Sequence, residues 1–232
     1  MEKNYWFNSS KPFPTRSFNF YLLEHVYVVV VGDLYDGRWL KETSLLYALR
    51  HFEPLGRKTL SRMLRVTEGA VRSIVSKLEE QGYVNVDRTG IRVTSEGILE
   101  LQRRLEKMHI KSIKDFPHEE LNIGPSSVAI LISGIAAKVT SGLEERDQAV
   151  RAGASGAVTI TYSSGVYKMP GVYGNLEVEA PNWYRAISNT FKPEDESCIV
   201  VVFGENRWVA VEAAFTVAVK IATTPQNGYI SS

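Results

Sequence analysis

Apolar positions fall into three textures along the chain, and the middle one is the most regular. Leu45, Leu46, Leu49 and Phe52 form one helical stripe, closed by Pro54 and Gly56. Leu60, Met63 and Leu64 give a second, short helix its inner face and leave Arg57, Lys58, Ser61 and Arg62 outside. After Arg65-Val66, Thr67 is placed to N-cap a third helix. There Val71, Ile74, Val75 and Leu78 recur at i, i+3, i+4 and i+7, and Gly82 marks the stop. Residues 83–86 and 91–93 alternate apolar and polar around Asp87-Arg88-Thr89-Gly90, a short hairpin in which Gly90 takes the positive φ. Thr94 and Ser95 then offer N-caps to a longer helix. Its Ile98, Leu101, Leu105 and Met108 repeat at 3, 4 and 3 residues, a stripe that serves equally as a face packed on its own domain or as a dimer seam.

The flanking textures differ. Pro12 and Pro14 bar a regular helix across residues 1–20, which reads as an irregular arm carrying Trp6, Phe7, Phe13 and Phe18. Residues 20–39 hold a β-branched run, 26–31, that fits a buried strand or a buried helix. Residues 111–125 are charged and contain Pro117, Gly124 and Pro125, as a linker would. Beyond them, strands are expected at 128–137, 157–162 and 198–203. Helices are expected at 143–152, 182–191 and 207–222, with a turn-rich stretch at 167–178. The expected fold is α+β: an N-terminal winged helix-turn-helix domain followed by a two-layer α+β domain whose helices cover one face of its strands. The boundaries are residues 1–114 for the first domain with its arm, 115–125 for the linker and 126–232 for the second domain.

Composition places the chain among ordinary globular proteins. Its 232 residues are 44% hydrophobic and 23% charged, enough for one or two domains with a core that needs no staples. The single cysteine, Cys198, excludes an intrachain disulfide and fits a reducing compartment. The N-terminus lacks a charged start followed by an apolar signal core, and no apolar run approaches membrane-spanning length. A cytoplasmic protein with no membrane partner is therefore expected. Net charge is only +1, but its distribution is uneven. Residues 57–114 carry 13 basic and 7 acidic side chains, whereas residues 115–232 carry 8 basic and 13 acidic. Such a split suggests that one part faces nucleic acid and the other does not.

The basic part coincides with the helix–turn–helix–hairpin. The B-DNA major groove admits one α-helix, and a helix-turn-helix delivers its second helix there while the first crosses the backbone. Arg72 is the candidate for a base edge, because its fork pairs with guanine. Ser73 and Ser76 are candidates for base or phosphate. Thr67, Lys58, Arg62 and Lys77 flank them, and Arg88 and Arg92 belong to the hairpin, where a wing meets the minor groove or the backbone. Double-stranded DNA is the expected partner. The run LSRMLRVTEGAVRSIVSKLEEQGYV, with its hairpin and VTSEGILEL, resembles the winged helix of MarR-like and related prokaryotic transcription regulators over residues 41–110. It shares the small residues Gly69-Ala70 entering the helix, Leu-Glu-x-x-Gly closing it and Thr-x-x-Gly opening the next. The whole chain resembles an uncharacterised archaeal family pairing such a winged helix with a C-terminal domain of unknown function. That resemblance implies a transcription regulator without an assigned effector.

The second half shows no catalytic grouping, and no enzyme, cofactor or metal is expected. No histidine lies beyond His118, and His25, His51, His109 and His118 are scattered. AGASGAV runs from helix to strand, the reverse of a phosphate-cradling loop. VVFGENRW runs from strand to helix, with Asn206 placed to cap. Glu144, Glu145 and Asp147 open a helix, where acids favour the macrodipole. Tyr162, Tyr167, Tyr173, Trp183, Tyr184 and Trp208 either line a ligand pocket or fill a core and a dimer interface. The second half is thus expected to bind a small-molecule effector or to form a homodimer. The competing reading is a nucleic-acid or small-molecule enzyme in which the winged helix only docks.

Overall fold

The computed structural model describes residues 36–116 and 125–225. Helix α1 (Gly37–Phe52) begins where the Asp36 carboxylate accepts from the Trp39 N–H at 2.7 Å. Of the ambiguous stretch 20–39 only this cap and first turn are described; the arm and the apolar run 26–31 lie outside the described residues. Helices α2 (Arg57–Leu64) and α3 (Glu68–Glu80) bury the expected stripes, Leu60 and Leu64 on one and Val71, Ile74, Val75 and Leu78 on the other. Between them Arg65 takes the left-handed conformation, φ 54°. Strands β1 (Val84–Asp87) and β2 (Gly90–Val93) pair with Asp87 opposite Gly90, so Arg88 and Thr89 alone form the loop.

Helix α4 (Ser95–Lys107) is held by Thr94 at both ends of one hydroxyl. That oxygen accepts from the Gly97 N–H at 3.0 Å and donates to the Gly82 carbonyl at 2.6 Å. Leu101 and Met108 are buried, and Leu105 packs against the same core. Three of the four residues of the stripe thus serve the chain's own core, and Ile98 is half-buried.

The second half is built on a five-stranded antiparallel sheet in the order β3-β4-β7-β5-β6. The strands are β3 (Ile110–Asp115), β4 (Ser126–Ile132), β5 (Gly156–Ser163), β6 (Val166–Lys168) and β7 (Ser197–Gly204). Strand β3 occupies residues expected to end the first domain and begin the linker. Its register with β4 shifts between Ile110 and Ser112, which breaks the period-2 alternation by which a strand is recognised. Residues 117–124 lie outside the described residues. Strand β4 ends at Ile132, short of the expected 137, because Gly134 turns the chain with φ 70° into a 3₁₀ turn at Ala136–Lys138.

Every residue of β7 is buried. Cys198, Val200 and Val202 face α5 (Leu143–Arg151) and α8 (Arg207–Thr223), while Ile199, Val201 and Phe203 face α6 (Leu176–Glu179) and α7 (Pro181–Thr190). Helices thus cover both faces, where one was expected. The physical reason is legible in CIVVVF itself, which is apolar at both parities and leaves no face for water.

The two halves share one apolar core. Leu45, Leu46, Leu49, Leu60 and Leu64 belong to the same cluster as Val211, Ala214, Phe215 and Ala218 of α8. The Tyr47 ring meets Phe215 edge-on at 5.6 Å and Trp208 at 6.4 Å. Lys41 pairs with Glu212 at 2.6 Å and also donates to the Leu64 carbonyl. Arg207 pairs with Asp115 at 2.7 Å and lies over both Tyr47 and Trp208. Among the described residues no helix is long and apolar enough to cross a membrane.

Two stability outcomes follow from these contacts. Ala is the better helix former by about 1 kcal/mol, yet Gly97→Ala is expected to destabilise by about 2 kcal/mol or more in urea titration, because the new Cβ would lie 2.0 Å from the Tyr83 carbonyl oxygen. The His51 ring lies tilted against Tyr47 at 4.4 Å; burial, then the Arg207 and Arg50 cations, push it down to about 4. The unfolded chain, titrating near ~6.5, takes up this proton first. Stability is therefore expected to fall as pH drops from about 6.5 towards 4, and His51→Phe to flatten that part of the profile of Tm against pH.

Candidate nucleic-acid interface

Helix α3 is the outer helix of the pair and is set by its cap. Thr67 Oγ1 accepts from the Ala70 N–H at 3.2 Å, which satisfies one of the free N–H groups of the first turn. Glu68, Gly69, Arg72, Ser73 and Ser76 are exposed on one side of it. Lys58 and Arg62 are exposed on α2, and Arg88 is exposed at the tip of the hairpin. Eight of the nine sequence candidates thus lie on α2, α3 with its cap, or the hairpin with their polar ends away from the core; Lys77 differs.

Lys77 turns to a buried carboxylate. Its Nζ lies 2.7 Å from Oε1 of Glu42, whose side chain is 2% exposed. Arg104 reaches the other oxygen of Glu42 at 3.3 Å and is itself 5% exposed. The Arg38 Nε adds a contact at 3.4 Å. Arg104 also pairs with Glu100 at 2.8 Å, donates to Thr43 Oγ1 and the Trp39 carbonyl, and lies over the Trp39 ring. This network ties α3 to α1 and α4 and was missed from sequence. The signal was present: Leu101, Arg104 and Met108 stand at i, i+3 and i+7, so Arg104 falls on the buried face of α4.

Arg92 is the other engaged cation. It reaches Asp87 at 3.8 Å and donates to Thr89 Oγ1 at 3.2 Å. The hydroxyl and N–H of Thr89, with the Gly90 N–H and Arg92, hold the exposed Asp87 carboxyl below its ordinary pKa. These bonds fix the loop that presents Arg88.

The remaining cations of this surface are uncompensated. Arg57, Lys58, Arg62, Arg65, Arg72 and Arg88 form no ion pair among the described residues. Elsewhere Arg38, Lys41, Arg103, Arg104, Arg146, Arg207 and Lys220 meet carboxylates, whereas Lys107, Lys111, Arg151, Lys168 and Lys192 meet none among the described residues. Six unpaired cations thus stand on α2, α3, the turn between them and the wing, with the exposed Glu68 among them.

The second half brings together less. Tyr162, Tyr167 and Tyr184 form a run of ring contacts at 4.6 and 5.7 Å, and Trp183 stacks on Phe116 at 6.1 Å. Trp208 stands apart from them in the junction with α1, so the aromatic set does not converge on one place. An open cleft of ≈ 390 Å³ lies beside Thr161, Lys168, Tyr173 and the glycines of residues 170–174. Asn206 caps α8 as expected, accepting from the Trp208 and Val209 N–H groups. Glu145 departs from the expected role of a solvated first-turn acid: it is buried against the sheet, which pushes its carboxyl up. Cys198 is fully buried, and burial raises its thiol far above the range in which it would ionise. No group of three or more metal-ligating side chains occurs among the described residues.

Residues 41–109 match the family described as the CggR N-terminal DNA binding domain. Residues 123–221 match a family described as a domain of unknown function, DUF4443. No curated protein matches the chain. A solved structure, that of a hypothetical protein from Pyrococcus horikoshii OT3, is similar with a TM-score of 0.59 and 23% identity. The similarity covers 78% of this chain and 91% of that one and supports the fold as a whole.

The network around Glu42 yields a direct outcome. Arg104→Met leaves a buried carboxylate short of its most buried partner, and the expected cost is about 3 kcal/mol in denaturant unfolding. The NMR signals of α3 backbone amides near Lys77 are expected to shift with it.

Proposed function

We propose that the protein is a DNA-binding transcription regulator of the winged-helix kind, with α3 entering the major groove. The observation that carries this is the set of exposed cations on α2, α3 and the wing that lack carboxylate partners among the described residues. Folding gains nothing from such a cluster, since like charges repel; a polyanion supplies the missing counter-charge. The similarity of residues 41–109 to the CggR N-terminal DNA binding domain supports the same reading.

The roles divide by geometry. Arg72, with Ser73 and Ser76, lies on the outer side of the capped helix and reads base edges. Lys58 and Arg62 hold phosphates along α2, and Arg88 does so from the wing, whose loop Arg92 stiffens. Thr67 fixes the start of α3, and Lys77 sets its height by its bond to Glu42. The second half, residues 126–232 together with β3, is the place for an effector or a second copy of the chain. An open cleft lies beside Thr161 and Lys168 in this half. Leu101, Leu105 and Met108 of the α4 stripe are taken by the chain's own core and are not available to a second copy.

Fluorescence anisotropy on genomic fragments at two salt concentrations tests the reading. Binding is expected to weaken steeply with salt, and binding that is absent at low salt or indifferent to salt would falsify it. Arg72→Ala is expected to cut discrimination between preferred and scrambled duplexes by about 10- to 100-fold, the worth of a bidentate base contact. Lys58→Ala is expected to weaken all duplexes alike and to lower the slope of log K against log salt by about 1.

A further inference from the structure

We infer that the DNA-contacting surface continues past the winged helix onto the C-terminal end of α5, where Arg151 contacts the phosphate backbone of the same duplex. The inference rests on the DNA-binding reading above and extends it to a part of the chain with no assigned role.

The joint between the two surfaces is a close contact. A Cβ built on Gly153 would lie 2.6 Å from Nη1 and 3.2 Å from Nη2 of Arg65, so the guanidinium rests directly on this glycine. Gly153 has φ +97°, and Arg65 itself is left-handed at φ 54°. Both residues are exposed, so their meeting forms continuous outer surface rather than core. Arg65 follows α2, the helix that in this motif crosses the backbone, and precedes the cap of α3. Whatever adjoins Arg65 therefore stands next to the strand that α2 crosses.

Charge is distributed along α5 to suit that neighbour. Its acids Glu144 and Asp147 lie toward the far end, where they pair with Lys220 at 3.6 Å and Arg146 at 3.0 Å. Arg151, two residues from Gly153, is exposed and makes no ion pair among the described residues. The last carbonyls of α5 carry the negative end of the helix dipole, beside the Arg65 guanidinium on Gly153. The following loop is pinned to the sheet by the Ser155 N–H donating to the Phe203 carbonyl at 2.7 Å. The uncompensated series Arg62, Arg65, Arg151 thus runs across a rigid joint between the two halves.

The test uses the full chain, a mixed-sequence duplex and a salt series, with Lys192→Glu as a charge-matched control. Lys192 is exposed beyond α7, on the opposite side of the sheet from α5. Arg151→Glu is expected to weaken binding by about 5- to 20-fold for every sequence and to lower the salt slope by about 1, while Lys192→Glu changes affinity less than about 2-fold. Arg151→Lys is expected to restore most of the affinity, since a phosphate asks only for charge. Equal effects of the two glutamate variants, with salt-dependent binding by the unaltered chain, would overturn this inference and leave the DNA-binding reading standing. Failure of the unaltered chain to bind at low salt would overturn both.

Discussion

A carboxylate that stays charged out of water must be paired, and Glu42 shows how far that requirement reaches. Removing an ion from water costs several kcal/mol even after relaxation, so such a group is held only where its partners are fixed. Here they come from α1 itself, from α3 and from α4, as Arg38, Lys77 and Arg104. Each helix of the reading unit that touches Glu42 is thereby set in height and rotation. Apolar stripes alone allow helices to slide by small amounts at little cost. Ion pairs to a buried carboxylate restrict such sliding.

The same requirement sorts the basic residues into two populations. One meets acids, some buried like Glu42 and some exposed like Asp115 and Glu144. The other meets no acid among the described residues, and six of its members stand on α2, α3, the turn between them and the wing. Composition cannot separate them, since Lys77 and Arg72 sit five positions apart on one helix and differ only in what lies across from them. Function is thus read from the charges that folding leaves unbalanced.

How much was legible in the sequence follows from the range of each interaction. Local rules performed well: the caps at Thr67, Thr94 and Asn206 and the stop at Gly82 depend on neighbours within four residues. The α+β class, the winged-helix pattern and the helices from 41 to 107 followed from periodicity. Strand β3 did not, because a register shift at its start erases the alternation, and its partner lies beyond it in the chain. The second covered face of the sheet was concealed in a plain apolar run. The Glu42 network spans 62 residues of sequence between Glu42 and Arg104, a distance over which pattern carries no information about pairing. Which basic residues remain outward was therefore only partly visible.

The packing of α8 on α1 also has a bearing on synthesis. Lys41 and Glu212 are 171 residues apart, and Tyr47 packs on Phe215 of the same distant helix. A ribosome adding about 5–20 residues per second leaves the first of these side chains waiting on the order of 10–30 s for the last helix. During that interval the stripe of α1 is open to water and to other nascent chains. The reading half is accordingly born first and finished last.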